Sequence, residues 1–142
     1  MPLEFSMSLA IKPKGQGRPR FAGHAYTPKA TREYANAIRA TAKHIWGDRD
    51  PLTGPLQVNV WAHFALPKTA KDRGLHHTQR PDADNVAKAV LDALMPEFAK
   101  RKGGRVQLWG GVIADDAQVC DLRCKKQWSV IGNSLDVTIW SI

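Results

Sequence analysis

Alternating apolar and polar positions give the first outline of this chain. Phe5, Met7, Leu9 and Ile11 share one side of a period-2 pattern with Ser6 and Ser8 on the other, which predicts a half-buried strand over 4–11. The clearest strand covers 56–66, where Leu56, Val58, Val60, Ala62, Phe64 and Leu66 alternate with Gln57, Asn59, Trp61 and His63. Two further strands are expected over 118–128 and 134–140, the latter with Leu135, Val137 and Ile139 inward. Helical spacing appears twice. Thr27-Pro28 opens a helix over 28–46 carrying Tyr34, Ala37, Ile38, Thr41 and Ile45, and a second helix over 84–95 stops before Pro96. Between these elements lie three polar, glycine- or proline-broken stretches, 12–26, 67–81 and 100–111, read as exposed basic connections. The order of elements predicts an α+β fold, with a single mixed β-sheet of about four main strands, two principal helices against it, and one domain over 1–142.

Composition narrows the class. With 43% apolar and 24% charged residues among 142, the chain has the balance of a globular domain rather than a disordered one. No apolar run approaches the roughly 20 residues of a membrane span, and the amino terminus lacks the pattern of a signal peptide, so no membrane partner and a cytoplasmic location are expected. Lys and Arg outnumber Asp and Glu by 21 to 13, a formal charge of +8 that calls for an anionic partner, with nucleic acid the usual one. Two cysteines, Cys120 and Cys124, are too few for a disulfide framework or a structural zinc site and are expected to pack in the core with Leu122.

Against this basic background the acidic residues stand out. Asp82 and Asp84 open the second helix, and at about 100° per residue Asp84, Lys88, Asp92 and Asn85 form one polar stripe on an otherwise apolar body. Helix capping and an Asp84–Lys88 pair at i,i+4 account for such residues taken alone. A second acidic pair, Asp115-Asp116, stands just before the next strand, so two separate elements each deliver carboxylates at an end. Carboxylates without His or Cys neighbours suit magnesium or manganese, the hard ions of phosphoryl-oxygen chemistry, with a lysine to orient water or neutralise charge. The EF-hand pattern and the P-loop are both absent.

These residues in combination resemble the RusA-type Holliday junction resolvases, in particular their phage and prophage branch. The similarity spans most of the chain. It rests on the run RPDADNVAKAVLDAL from Arg80 to Leu94, on DDAQV from Asp115 to Val119, on Lys125-Lys126, and on the glycine-rich KGQGRPR from Lys14 to Arg20. The resemblance implies a homodimeric, Mg2+-dependent endonuclease (Mn2+ a plausible substitute) that resolves four-way DNA junctions by paired, symmetric phosphodiester hydrolysis in recombination and repair, inside a bacterial cell or phage-infected host. It makes Asp82, Asp84 and Asp116 the metal ligands and Lys88 the catalytic lysine, and leaves the role of the neighbouring Asp115 open. The stretch 96–111 is longer and more basic than that resemblance leads one to expect.

Lys12, Lys14, Arg18, Arg20 and Arg80 are the expected DNA contacts. Lys68, Lys71, Arg73, Lys100, Arg101, Lys102 and Arg105 fit either phosphate contact or a solvated face. His76-His77 reads as an exposed loop, and Trp109, in a glycine loop, is the tryptophan to consider for base stacking. The competing functions are a metal-dependent nuclease for forks or flaps and a non-catalytic basic DNA-binding dimer.

Overall fold

The computed structural model describes residues 1–17, 20–69 and 74–142. Its centre is β4 (Leu56–Ala65), the most apolar strand, which pairs on one side with β8 (Ser134–Ser141) antiparallel and on the other with β7 (Val119–Ser129) parallel. β1 (Leu3–Leu9) adds to β8, giving the order β1-β8-β4-β7. The expected mixed four-stranded sheet is therefore present, with β7 at an edge. Period-2 alternation assigns its faces: Val58, Val60, Ala62, Leu135, Val137 and Ile139 point into the core, while Asn59, Trp61, His63 and Asp136 face outward.

Two helices cover the inner face. α1 (Lys29–Trp46) buries Tyr34, Ile38, Ala42 and Trp46, spaced four apart, so its inward stripe turns away from Ile45, which is 41% exposed. α2 (Ala83–Leu94) buries Val86, Ala87, Ala89, Val90, Leu91, Ala93 and Leu94, which leaves only its polar stripe for solvent. Both helices end within a residue of the lengths predicted from spacing.

The broken stretches contain more structure than their composition predicts. A two-residue hairpin, β2 (Arg20–Phe21) and β3 (Ala25–Tyr26), lies in the first. In the third, the expected loop is a β-hairpin, β5 (Glu97–Arg101) paired antiparallel with β6 (Gly104–Trp109). In the second, Leu75 and His77 pair with the edge of β7 through Trp128 N–H to Leu75 O (2.9 Å) and His77 N–H to Lys126 O (3.1 Å). His77 is consequently buried, its ring stacked on Phe64 at 3.8 Å, so the exposed-loop expectation fails for it and holds for His76. Trp109 is likewise buried, its indole N–H donating to Gly47 O, and is not available for stacking on a base. Cys120 is exposed, Cys124 is half-buried and Leu122 is exposed, because an edge strand receives incomplete cover from the helices. Among the described residues no helix is long and apolar enough to cross a membrane.

Candidate active site

α2 carries the acidic start of the site, and its approach is held from two sides. The Lys126 ammonium on β7 donates to Gln79 O and Pro81 O, both at 2.6 Å, which ties the incoming chain to the sheet edge. Opposite, the glycine-rich loop lies on the first turn. Gln16 N–H donates to Asn85 O at 3.1 Å, and a Cβ on Gly15 would stand 3.1 Å from the Asn85 Cβ and 3.2 Å from the Pro81 Cβ. That approach favours a residue without a side chain, since a Cβ would push its neighbours back by a few tenths of an ångström. Tyr34 lies buried beneath the loop, and burial raises its phenol above 10 against the opposing influence of the Lys14 amide. A protonated, enclosed phenol makes a poor nucleophile.

Capping does not explain Asp82. It occupies the N-cap position, with φ −68° and ψ 149°, yet its carboxylate makes no capping hydrogen bond. Among the described residues, the carboxylate of Asp84 accepts only from the adjacent Asn85 amide, at 2.9 Å. Lys88 pairs with Asp92 at 3.8 Å rather than with Asp84, so the i,i+4 pair of the sequence reading is displaced one turn along the stripe. Both Asp82 and Asp84 are exposed. Asp84 also acts electrostatically on Cys124, whose thiol is raised to about 11, mainly by burial.

The two halves of Asp115-Asp116 differ. Asp115 caps the single 3-10 turn Asp116–Gln118: its carboxylate accepts from Ala117 N–H at 3.0 Å, while the Gln118 amide oxygen accepts from the Ala114 and Asp115 amides. Gln118 also donates to Leu52 O (2.9 Å) and Gly54 O (3.1 Å), fixing the turn to the loop before β4. This holds Asp115 below the usual carboxylate range, the Ala117 amide being the largest cause. Asp116 is raised, first by its hydrogen bond with Asp115 and then by desolvation, with Lys88 pulling it down and Asp92 pushing it up. Asp116 thus feels charge from the α2 stripe, although no hydrogen bond or ion pair joins it to Asp82, Asp84 or Lys88 among the described residues.

Lys12, Lys14, Gly15, Gln16, Arg80, Asp82 and Asn85 line one open groove of about 460 Å³, so three of the five expected DNA contacts stand at the mouth of the acidic helix. Arg18 and the Arg20 side chain lie outside the described residues, as do Lys71 and Arg73. Among the described residues, no three His, Cys, Asp or Glu side chains are grouped as a metal site. The donor chemistry still fits magnesium, which is commonly held by one or two carboxylates, water and substrate phosphate. Asp82 and Asp84 are exposed carboxylates of the kind that could hold such an ion. Sequence reasoning assigned no role to three residues that shape the site: Lys126 and Gln118, which act through hydrogen bonds to distant backbone, and Asp92, which the helical stripe already displayed.

A family model described as Endodeoxyribonuclease RusA matches residues 10–140, which include both acidic segments, the basic groove and β7. No curated protein matches the chain.

Proposed function

The chain belongs to the RusA endodeoxyribonuclease family, and on that premise we propose that it is a magnesium-dependent, structure-selective endonuclease that resolves four-way DNA junctions. What supports this reading is the family match over 10–140, together with an Asp82 carboxylate that is not used for capping and stands in the groove lined by Lys12, Lys14 and Arg80.

Asp82 and Asp84 would hold the magnesium, with Asp116 as the third carboxylate. When bound, the ion supplies charge neutralisation at the scissile phosphate and a water of lowered pKa. Lys88, 57% exposed at its side chain and flanked by Asp92, presents its ammonium to the negative charge that builds on the phosphate oxygens. Water adds to phosphorus and one P–O ester bond breaks. The departing oxygen is protonated, leaving a phosphate end and a hydroxyl end. Lys12, Lys14 and Arg80 grip the backbone beside the cut. Symmetric cutting of opposed strands requires two sites related by a two-fold axis, hence a homodimer.

Replacement of single carboxylates tests the assignment. Asp84→Asn and Asp116→Asn should each lower junction cleavage in magnesium by at least about 100-fold, with junction binding retained or strengthened as phosphate repulsion falls. Parental cleavage by either variant removes that residue from the site, and faster cutting of a fork or flap than of the junction reassigns the substrate.

A further inference from the structure

The segment between α2 and the Asp115-Asp116 turn is closed at its base, where the Val112 and Ile113 amides both donate to Leu94 O at 2.8 and 3.3 Å. From that base β5 and β6 run out as a two-stranded ribbon. Its root is anchored on α1: Glu97 pairs with Arg39 and Lys43, and Trp109 is buried beneath Lys43. Beyond the root the ribbon is solvent-exposed, with Phe98, Val106 and Leu108 at 43%, 47% and 49%.

Charge concentrates at its tip. Lys100 lies opposite Arg105, Arg101 lies opposite Gly104, and Lys102 sits in the turn. Among the described residues no carboxylate pairs with any of these four cations, and the Arg105 guanidinium rests over the Phe98 ring at 4.3 Å. Register places Phe98, Lys100, Arg105 and Gln107 on one face.

We infer that the β5–β6 ribbon is a second DNA-contacting element, laid along a duplex arm with Lys100, Arg101, Lys102 and Arg105 on backbone phosphates. Three considerations favour a duplex as the occupant. Four unpaired cations within six residues complement a polyanion. A two-stranded ribbon is a shape the major groove admits, and at about 3.3 Å per residue five residues reach about 17 Å. The root is fixed to α1 through Glu97 and Trp109, so the ribbon offers its cations on a preset support. The inference rests on the nuclease reading only in taking DNA as the polymer.

Two variants of the full chain test it. One carries Lys100→Ser, Arg101→Ser, Lys102→Ser and Arg105→Ser. The other replaces 99–106 by an Asn-Gly turn joining Phe98 to Gln107, which keeps the Glu97 and Trp109 anchors. Binding to a four-way junction is read by fluorescence anisotropy in EDTA from 50 to 200 mM salt, with oligomeric state by light scattering. Both variants should bind about ten-fold or more weakly at 100 mM salt, and their slope of log affinity against log salt should flatten by about 2 to 4, since each lost phosphate contact removes about 0.9. Unchanged affinity and slope overturn the proposal, as does a shift in oligomeric state, which would make the ribbon a subunit contact. Cleavage by the parent protein in magnesium separates the two readings: no cleavage with the ribbon effect intact sinks the nuclease alone, and normal cleavage with no ribbon effect sinks the ribbon alone.

Discussion

Asp115 and Asp116 are adjacent in sequence and opposite in duty. The first is held by the Ala117 amide and belongs to the turn, while the second caps nothing and feels the charges of Lys88 and Asp92. Asn accepts a capping hydrogen bond about as well as Asp, so Asp115→Asn should keep most junction cleavage where Asp116→Asn loses it. Cleavage lost equally in both would mean that the pair acts as one unit. The cysteines give an independent check. A thiol raised to about 11 is almost wholly protonated near pH 8, and only the thiolate reacts. Iodoacetamide at that pH should therefore label exposed Cys120 and spare Cys124 in the folded protein, and equal labelling would contradict the burial assigned to β7. At this scale the carboxylates of α2 drew notice in the sequence because charge on an apolar helix needs a reason, and their exposure on the helix was legible from its spacing. His77 and Trp109 were not, since burial of a loop residue depends on what packs over it.

Elements were read from sequence in proportion to their periodicity. β4 and α2 alternate or repeat cleanly, so each was found within a residue or two of its bounds. The β5–β6 ribbon was missed because its exposed faces mix Lys, Arg, Phe and Val, leaving no apolar side to reveal a period. Gly103-Gly104, with φ of 93° and 132°, was the available turn signal. Gly111 closes the ribbon at φ 84°, where a Cβ would stand 2.8 Å from Leu94 O and the Met95-Pro96 backbone. Gly111→Ala should cost at least about 2 kcal/mol of stability, visible in chemical denaturation, and Gly23→Ala, whose Cβ would meet nothing, should cost less. The turn before β7 is equally dependent on one side chain. Gln118→Ala removes its bonds to Leu52 and Gly54 and should cost about 1 to 3 kcal/mol, with cleavage reduced because Asp116 loses its support.

Across the whole molecule, the sheet and helices place the acidic start of α2 in a basic groove, and the fold carries a basic ribbon besides. A net charge of +8 attracts DNA, but the carboxylates at its centre repel phosphate until a cation joins them. Binding and cutting therefore have separate requirements. The α+β architecture was legible because few arrangements cover one apolar sheet face with two helices. The manner in which distant segments share hydrogen bonds, such as Lys126 clamping Pro81, follows from three-dimensional neighbours that no local pattern records. The central claim is magnesium-dependent, paired incision of a junction, and nick mapping at nucleotide resolution on a synthetic four-way junction tests it most directly. The account predicts two symmetric nicks on opposed strands in magnesium and none in EDTA. A junction that is bound yet uncut in magnesium, or cut equally well in EDTA, would contradict it.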